Sequence, residues 1–305
     1  MPFAHFDALL AAAAALPPIT VAVVDAAEDH VLRGACDAQA QGIIQPILLG
    51  DPDAIRGMLA TLEKEYPGCS QTPIVAAATA EEAATEGVHL ISDGKAQALM
   101  KGYLHTDTFL HPILASLRTE KRLSHIFVAD IPSYPKLLLI TDAAINISPD
   151  LPIKAAILQN AVDLARILHV DLPKAAILSS VEVVNPAIPS TVDAACLSKM
   201  ADRGQLAHVI VDGPLAFDNA ISKEAARIKG IRSEVAGDTD ILLVPDLVSG
   251  NILAKDLEYL AGASLAGIVM GAKVPVVLTS RSDPARARLV SAALAALIVH
   301  AKPPS

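Results

Sequence analysis

The chain has 305 residues, of which 52% are apolar and only 3% aromatic, with no Trp and a formal net charge of −9. That length buries a sizeable core and suits two domains. The acidic balance leaves no basic stripe to neutralise a nucleic acid, although local geometry still admits a small anion.

The first apolar run, ALLAAAAALPP, lacks a cationic flank and is too short to span a bilayer, so it reads as an opening helix. Strand-like aliphatic runs follow at ITVAVV (19–24), PILLG (46–50) and PIVAAA (73–78). Between them lie amphipathic patterns such as EDHVLRGACDAQAQ. In LMKGYLHTDTFLHPIL (99–114), Lys101-Gly102 closes one pattern and His105-Thr106-Asp107 opens another. Thr106 or Asp107 is the expected N-cap there, either of an ordinary capped helix or of an anion site with cationic neighbours.

HIFVAD (125–130) and KLLLIT (136–141) are joined by the Pro-rich IPSYP, which predicts a hairpin and a domain boundary. Further strands are expected at KAAILSS (174–180), HVIVD (208–212), DILLVP (240–245), AGIVM (266–270) and VPVVLT (274–279), again separated by helical patterns. Strand-helix-strand alternation implies mainly parallel, helix-covered sheets with right-handed crossovers. The last helix, from 284, is expected to fold back on the first domain. The expected division is therefore 1–124 plus 284–305, a discontinuous first α/β domain, and 125–283, a second.

Cys36, Cys69 and Cys196 are far apart in sequence without a CxxC, which fits a reducing cytoplasm and gives no thiolate metal site. No metal is expected, because no HExxH occurs and the nine histidines are dispersed. GxGxxG, GxxxxGK[ST] and GxSxG are likewise missing.

Ligands in open α/β sheets bind at the carboxyl ends of strands, and those ends are rich in polar groups here. Asp142 and Asn146 follow one strand, Asp212-Gly213-Pro214 another, and Asp246, Ser249 and Asn251 a third. Asp246 serves either as a helix cap or as a site residue, and Asp212 either in a turn or in a site. PVVLTSRSD (275–283) ends its strand in Thr279, Ser280 and Arg281 before Asp283-Pro284 opens a helix. Asp283 is a candidate cap or a chemical group. A buried Arg281 would need a carboxylate or a ligand phosphate as partner.

Taken together, VDGPLAFDNAIS, VAGDTDILLVPDLVSGNILAKDL and PVVLTSR resemble the phosphate acetyltransferase/phosphate butyryltransferase family. The MKG…HTD segment is similar to its butyryltransferase-like branch, the transferase part of proteins labelled bifunctional enoyl-CoA hydratase/phosphate acetyltransferase; no hydratase module is seen, so hydratase activity is not expected. The resemblance implies two αβα domains like those of isocitrate and isopropylmalate dehydrogenases, with an active-site cleft between them, and a homodimer. It implies exchange of CoA and phosphate on an acetyl or butyryl group. Coenzyme A, inorganic phosphate and a short-chain acyl phosphate would be the partners, with no bound cofactor, nucleic acid or membrane. Ser280, Arg281 and Asp283 would be catalytic. Lys101, His105, Thr106, Asp212, Asp246 and Asn251 would bind phosphate or substrate.

Two departures leave the base open. Acetyltransferase relatives carry an aspartate seven residues after the motif serine, where this chain has Ala287, and an arginine in the segment matching 106–112, where His111 or a neighbour stands. A metal- and NAD-dependent dehydrogenase on the same fold would need clustered aspartates and several arginines. A catalytically weak acyl-CoA or phosphate sensor is the alternative from another class.

Overall fold

The computed structural model describes residues 2–281 and 283–301, so residues 1 and 302–305 of the expected first domain lie outside it. Its contacts divide the chain into two units. One comprises Phe6–Lys121 and the chain from Ala266 onward; the other is Arg122–Leu265 with the first few residues.

The first unit opens with α1 (Phe6–Ala14) and then alternates β1 (Ile19–Val24), α2 (Asp29–Ala40), β2 (Ile44–Gly50), α3 (Pro52–Leu62), β3 (Ile74–Ala76), α4 (Ala80–Ser92), β4 (Ala98–Lys101) and α5 (Thr106–Ser116). Local chemistry sets the helix starts. Glu28 accepts a hydrogen bond from the Val31 N–H, Asp51 caps α3 ahead of Pro52, and Thr79 caps α4. The β-branched β1 is buried almost throughout and pairs in parallel with β2 on one side and β4 on the other.

The second unit contains β5 (Ser124–Asp130), β6 (Leu138–Thr141), α6 (Leu151–Ile167), β7 (Lys174–Leu178), α7 (Pro189–Asp202), β8 (Ile210–Leu215), α8 (Phe217–Ile221), α9 (Lys223–Ile228), β9 (Ile241–Leu243) and α10 (Leu247–Tyr259). Its strands run in the order β5-β6-β9-β7-β8. The expected hairpin is present: β5 and β6 are antiparallel, with Phe127 opposite Ile140. The other pairs are parallel. Phe127, Ile140, Leu242 and Val244 share one core with Ala254 of α10.

The chain passes back through β10 (Ser264–Met270), then β11 (Val276–Val277) and α11 (Ala285–His300). The return to the first unit comes at Ala266 rather than at 284. The reason is strand pairing: β11 is antiparallel to β10 and parallel to β4, with Val277 opposite Met100. The first unit's strand order is thus β3-β2-β1-β4-β11-β10. The β10–β11 hairpin is a second exception to strict strand-helix alternation. α11 packs on α1 and α2. Among the described residues no helix is long and apolar enough to cross a membrane.

Candidate active site

Three carboxyl ends lie side by side in the first unit. Lys101, the last residue of β4, pairs with Val24 of β1, and on its other side β11 runs on through Leu278 to Thr279 and Ser280. The loops leaving β1 and β4 are stitched together, because Gly102 N–H donates to the Val24 carbonyl at 2.8 Å and Tyr103 N–H to the Asp25 carbonyl at 2.9 Å. A Cβ at Gly102 would stand 2.1 Å from the Asp25 oxygen, so only glycine fits. Asp25 adopts a left-handed conformation, φ 56°, which an aspartate tolerates better than most residues.

After β11 the backbone forms a tight turn. The Asp283 carboxylate accepts the Ser280 N–H at 2.7 Å, while the Asp283 N–H donates back to the Ser280 carbonyl at 3.2 Å. Asp283 therefore does not cap the following helix; Pro284 is the N-cap residue and supplies no side-chain bond. Arg288, fully buried on α11, clamps the same turn by donating to the carbonyls of Asp283 and, at 3.1 Å, Ser280. It fits because α2 presents Gly34, where a Cβ would stand 2.7 Å from the Arg288 Cβ. Burial pulls the Arg288 pKa below its usual value against the opposing pull of Asp283 and Glu28. Among the described residues the Arg288 Nε and the hydroxyl of buried Thr279 have no hydrogen-bond partner.

Arg281 differs from expectation: it is exposed, with its guanidinium 5.9 Å from the Tyr103 ring centroid. The buried arginine is Arg288, and backbone carbonyls hold it. Lys101 is 2% exposed. Burial first, then the charges of Arg288 and Arg281, lower its pKa to about 8, against Asp283 and Asp25. Asp25 shifts upward, chiefly through burial, with Lys101 opposing and Glu81 adding.

The remaining expected residues are more dispersed. His105, not Thr106 or Asp107, is the N-cap residue of α5; its side chain is exposed and makes no capping bond, and Thr106 is the first helical residue. In the second unit, Asp246 caps α10, accepting from the Ser249 N–H at 2.8 Å and its hydroxyl at 3.0 Å. Asn251, on the next turn of α10, is exposed and reaches the Ala143 carbonyl only at 3.4 Å. Asp212 lies within β8, which runs through Gly213-Pro214 to Leu215 rather than turning there, and its carboxylate accepts the Gly213 N–H at 2.8 Å. β8 is the edge strand, separated from β9 by β7. The structure thus gathers Lys101, Ser280, Arg281 and Asp283, places Asp246 and Asn251 together on α10, and leaves Asp212 apart.

Asp142, after β6, is a fixed structural carboxylate. It accepts from the backbone N–H groups of Ala144 (2.9 Å) and Ile145 (3.0 Å) and from the Asn146 side chain at 2.6 Å. Asn146 in turn accepts from Arg122 at 2.8 Å.

Asp25 and Arg288 were not singled out from sequence. A partial signal for Arg288 exists: beyond its first turn α11 is apolar on nearly every side, so a charge where that run begins is a candidate for burial. The neighbouring Arg286 instead reaches Asp7 at 2.7 Å on the exposed side.

Comparison with known proteins places the chain in a defined group. Residues 67–296 match the family described as phosphate acetyl/butaryl transferase. A phosphate acetyltransferase of Rhizobium meliloti is 49% identical over 96% of this chain and 92% of its own length. A phosphate butyryltransferase of Clostridium acetobutylicum is 42% identical over 92% of this chain and 94% of its own. The crystal structure of a branched-chain phosphotransacylase from Enterococcus faecalis superposes with a TM-score of 0.79 at 33% identity, covering 92% of this chain and 99% of that one.

Proposed function

The chain belongs to the phosphate acetyl/butaryl transferase family, and from that membership we propose that it exchanges CoA and phosphate on a short-chain acyl group. In one direction acyl-CoA and phosphate give acyl phosphate and CoA; in the other the CoA sulfur attacks the acyl carbon and phosphate departs. The observation that carries this assignment is the cationic turn after β11, with Ser280 and Arg281 beside Lys101, on a chain 49% and 42% identical to an acetyl- and a butyryltransferase. A catalytically weak sensor is not favoured, since the relatives are named as transferases.

Exposed Arg281 is suited to grip the phosphate with paired charge-assisted hydrogen bonds and to carry its charge as it leaves. Ser280, whose backbone is fixed by Asp283 and Arg288, donates its hydroxyl to the carbonyl oxygen as charge develops there, or to the phosphate. Asp283 acts through that turn, since its carboxylate is engaged with the Ser280 N–H. Lys101 stands beside this turn as a further phosphate or substrate contact, and His105 and Thr106 offer phosphate donors at the start of α5. Asp246, Asn251 and Asp212 are assigned to substrate contact in the second unit, Asp246 in addition to capping α10. CoA enters as a substrate and no bound cofactor is invoked. A homodimer in the cytoplasm accompanies the family resemblance.

The test is CoA-dependent acyl-CoA formation from acetyl, propionyl and butyryl phosphate, with wild type against Arg281→Ala. Losing a charge-assisted bond of about 1.5–3 kcal/mol should cost roughly ten- to a hundredfold in turnover or phosphate affinity. A wild-type protein that binds CoA tightly yet turns over none of the three donors would reject the assignment.

A further inference from the structure

Acyl exchange has to move one proton. The CoA thiol arrives carrying it, and the departing phosphate needs it to leave as hydrogen phosphate. Ala287, where acetyltransferase relatives have an aspartate, is a buried methyl on α11. Asp283 is committed to the turn.

Lys101 is buried at the end of β4, beside the turn that carries Ser280 and Arg281. It lies opposite Val24, one residue beyond the Val277–Met100 pair, hence level with Leu278 and two residues short of Ser280. Its Nζ donates one hydrogen bond, to the Gly102 carbonyl at a long 3.4 Å. The charged groups that act on it most are Arg288 on α11, Arg281 and Asp283 in the turn, and Asp25 after β1. Glu28 acts on Arg288 and Glu81 on Asp25.

Building on the acyl-transfer assignment above, we propose that Lys101 is the proton carrier of the reaction. Its neutral amine takes the thiol proton: the S–H bond breaks, an N–H bond forms, and the sulfur's electron pair attacks the acyl carbon. The acyl C–O bond to phosphate then breaks with its electron pair going to that oxygen. The same oxygen receives the proton from the ammonium, so Lys101 ends neutral, as it began, and no co-reactant is needed. The match of acidities supports this role. Lys101, held at about 8, lies close to the ordinary thiol value of about 8.5, so transfer is nearly balanced in both directions. At pH 7 about a tenth of such an amine is neutral.

The experiment is kcat against pH, from about pH 6 to 10, at saturating CoA and the best of the three acyl phosphates, for wild type, Lys101→Arg and Lys101→Ala. Wild type should lose rate below about pH 8. Lys101→Arg keeps the charge but cannot release its proton, so it should fall roughly 10²–10⁴-fold and lose that acid limb. Added methylamine should restore Lys101→Ala in proportion to its concentration, a response that repair of folding would not give. An acid limb that persists in Lys101→Arg, or variants whose KM for acyl phosphate rises while kcat stays within about threefold of wild type, would overturn the proposal and leave Lys101 a phosphate ligand. Wild type inactive on all three donors would sink the acyl-transfer assignment itself, so the two failures are distinguishable.

Discussion

Lys101 and Lys154 are both buried, 2% and 5% exposed, yet the two units treat them in opposite ways. Lys154, on α6, places its ammonium 2.6 Å from Asp193 of α7. Lys101 stands among two guanidiniums and two carboxylates, Asp283 and Asp25, with one long carbonyl contact and no ion pair among the described residues. A cation buried with its partner holds two helices in register; a cation buried without a direct ion pair is costly to keep and is a candidate for chemistry. The carboxylates repeat the contrast. Asp246 caps its helix, whereas Asp283 leaves α11 uncapped and fixes the Ser280 backbone instead.

That contrast breaks most sharply at Asp193. Asp193→Ala strands the Lys154 charge, and chemical denaturation should report a loss of about 2–4 kcal/mol, at the lower end because Asp193 is partly exposed. Removing the other lysine should do the reverse. The Lys101 pKa is lower in the folded chain than the ordinary 10.5, so the folded state holds that proton less tightly than the unfolded state does. The penalty is therefore complete below about pH 8, fades as pH rises towards 10.5 and vanishes above it. Lys101→Met should raise Tm at pH 7 by the equivalent of about 1–3 kcal/mol, with the gain shrinking towards pH 10. A variant that melts lower than wild type at pH 7 would show that Lys101 is better compensated than its neighbours suggest. The smallest effect is at Asp246→Ala, where loss of the cap should cost about 1 kcal/mol in the same denaturation experiment.

The long aliphatic strands and the β5–β6 hairpin were legible in the sequence because their patterns are local. β4 was not, since ALMK is four residues long and runs directly into the helical pattern of α5. The sequence pattern therefore shows the lysine but not the strand that carries it. Gly213-Pro214 reads as a turn, but parallel pairing with β7 draws β8 through it to Leu215. Ser280 and Arg281 were legible as polar residues ending an apolar run. Which arginine is buried was not, because that depends on Gly34, far away in sequence and with no side chain of its own. Burial of a charge is a property of packing, and a linear pattern shows only that a charge is present.

The pairing of β11 with β4 also bears on how the chain emerges from the ribosome. Val276 is made about 175 residues after Lys101, which at roughly 5–20 residues per second is a wait of about 10–35 s. Through that interval the nascent β4 has β1 on one side and nothing of its own sheet on the other. An unpaired strand edge is a template for wrong partners. The second unit, almost contiguous in sequence, has a shorter wait: β6 meets β9 about 100 residues later. The order of synthesis therefore completes the contiguous unit first, and the three strand ends that carry Lys101 and Ser280 come together only as the last stretch of chain is delivered.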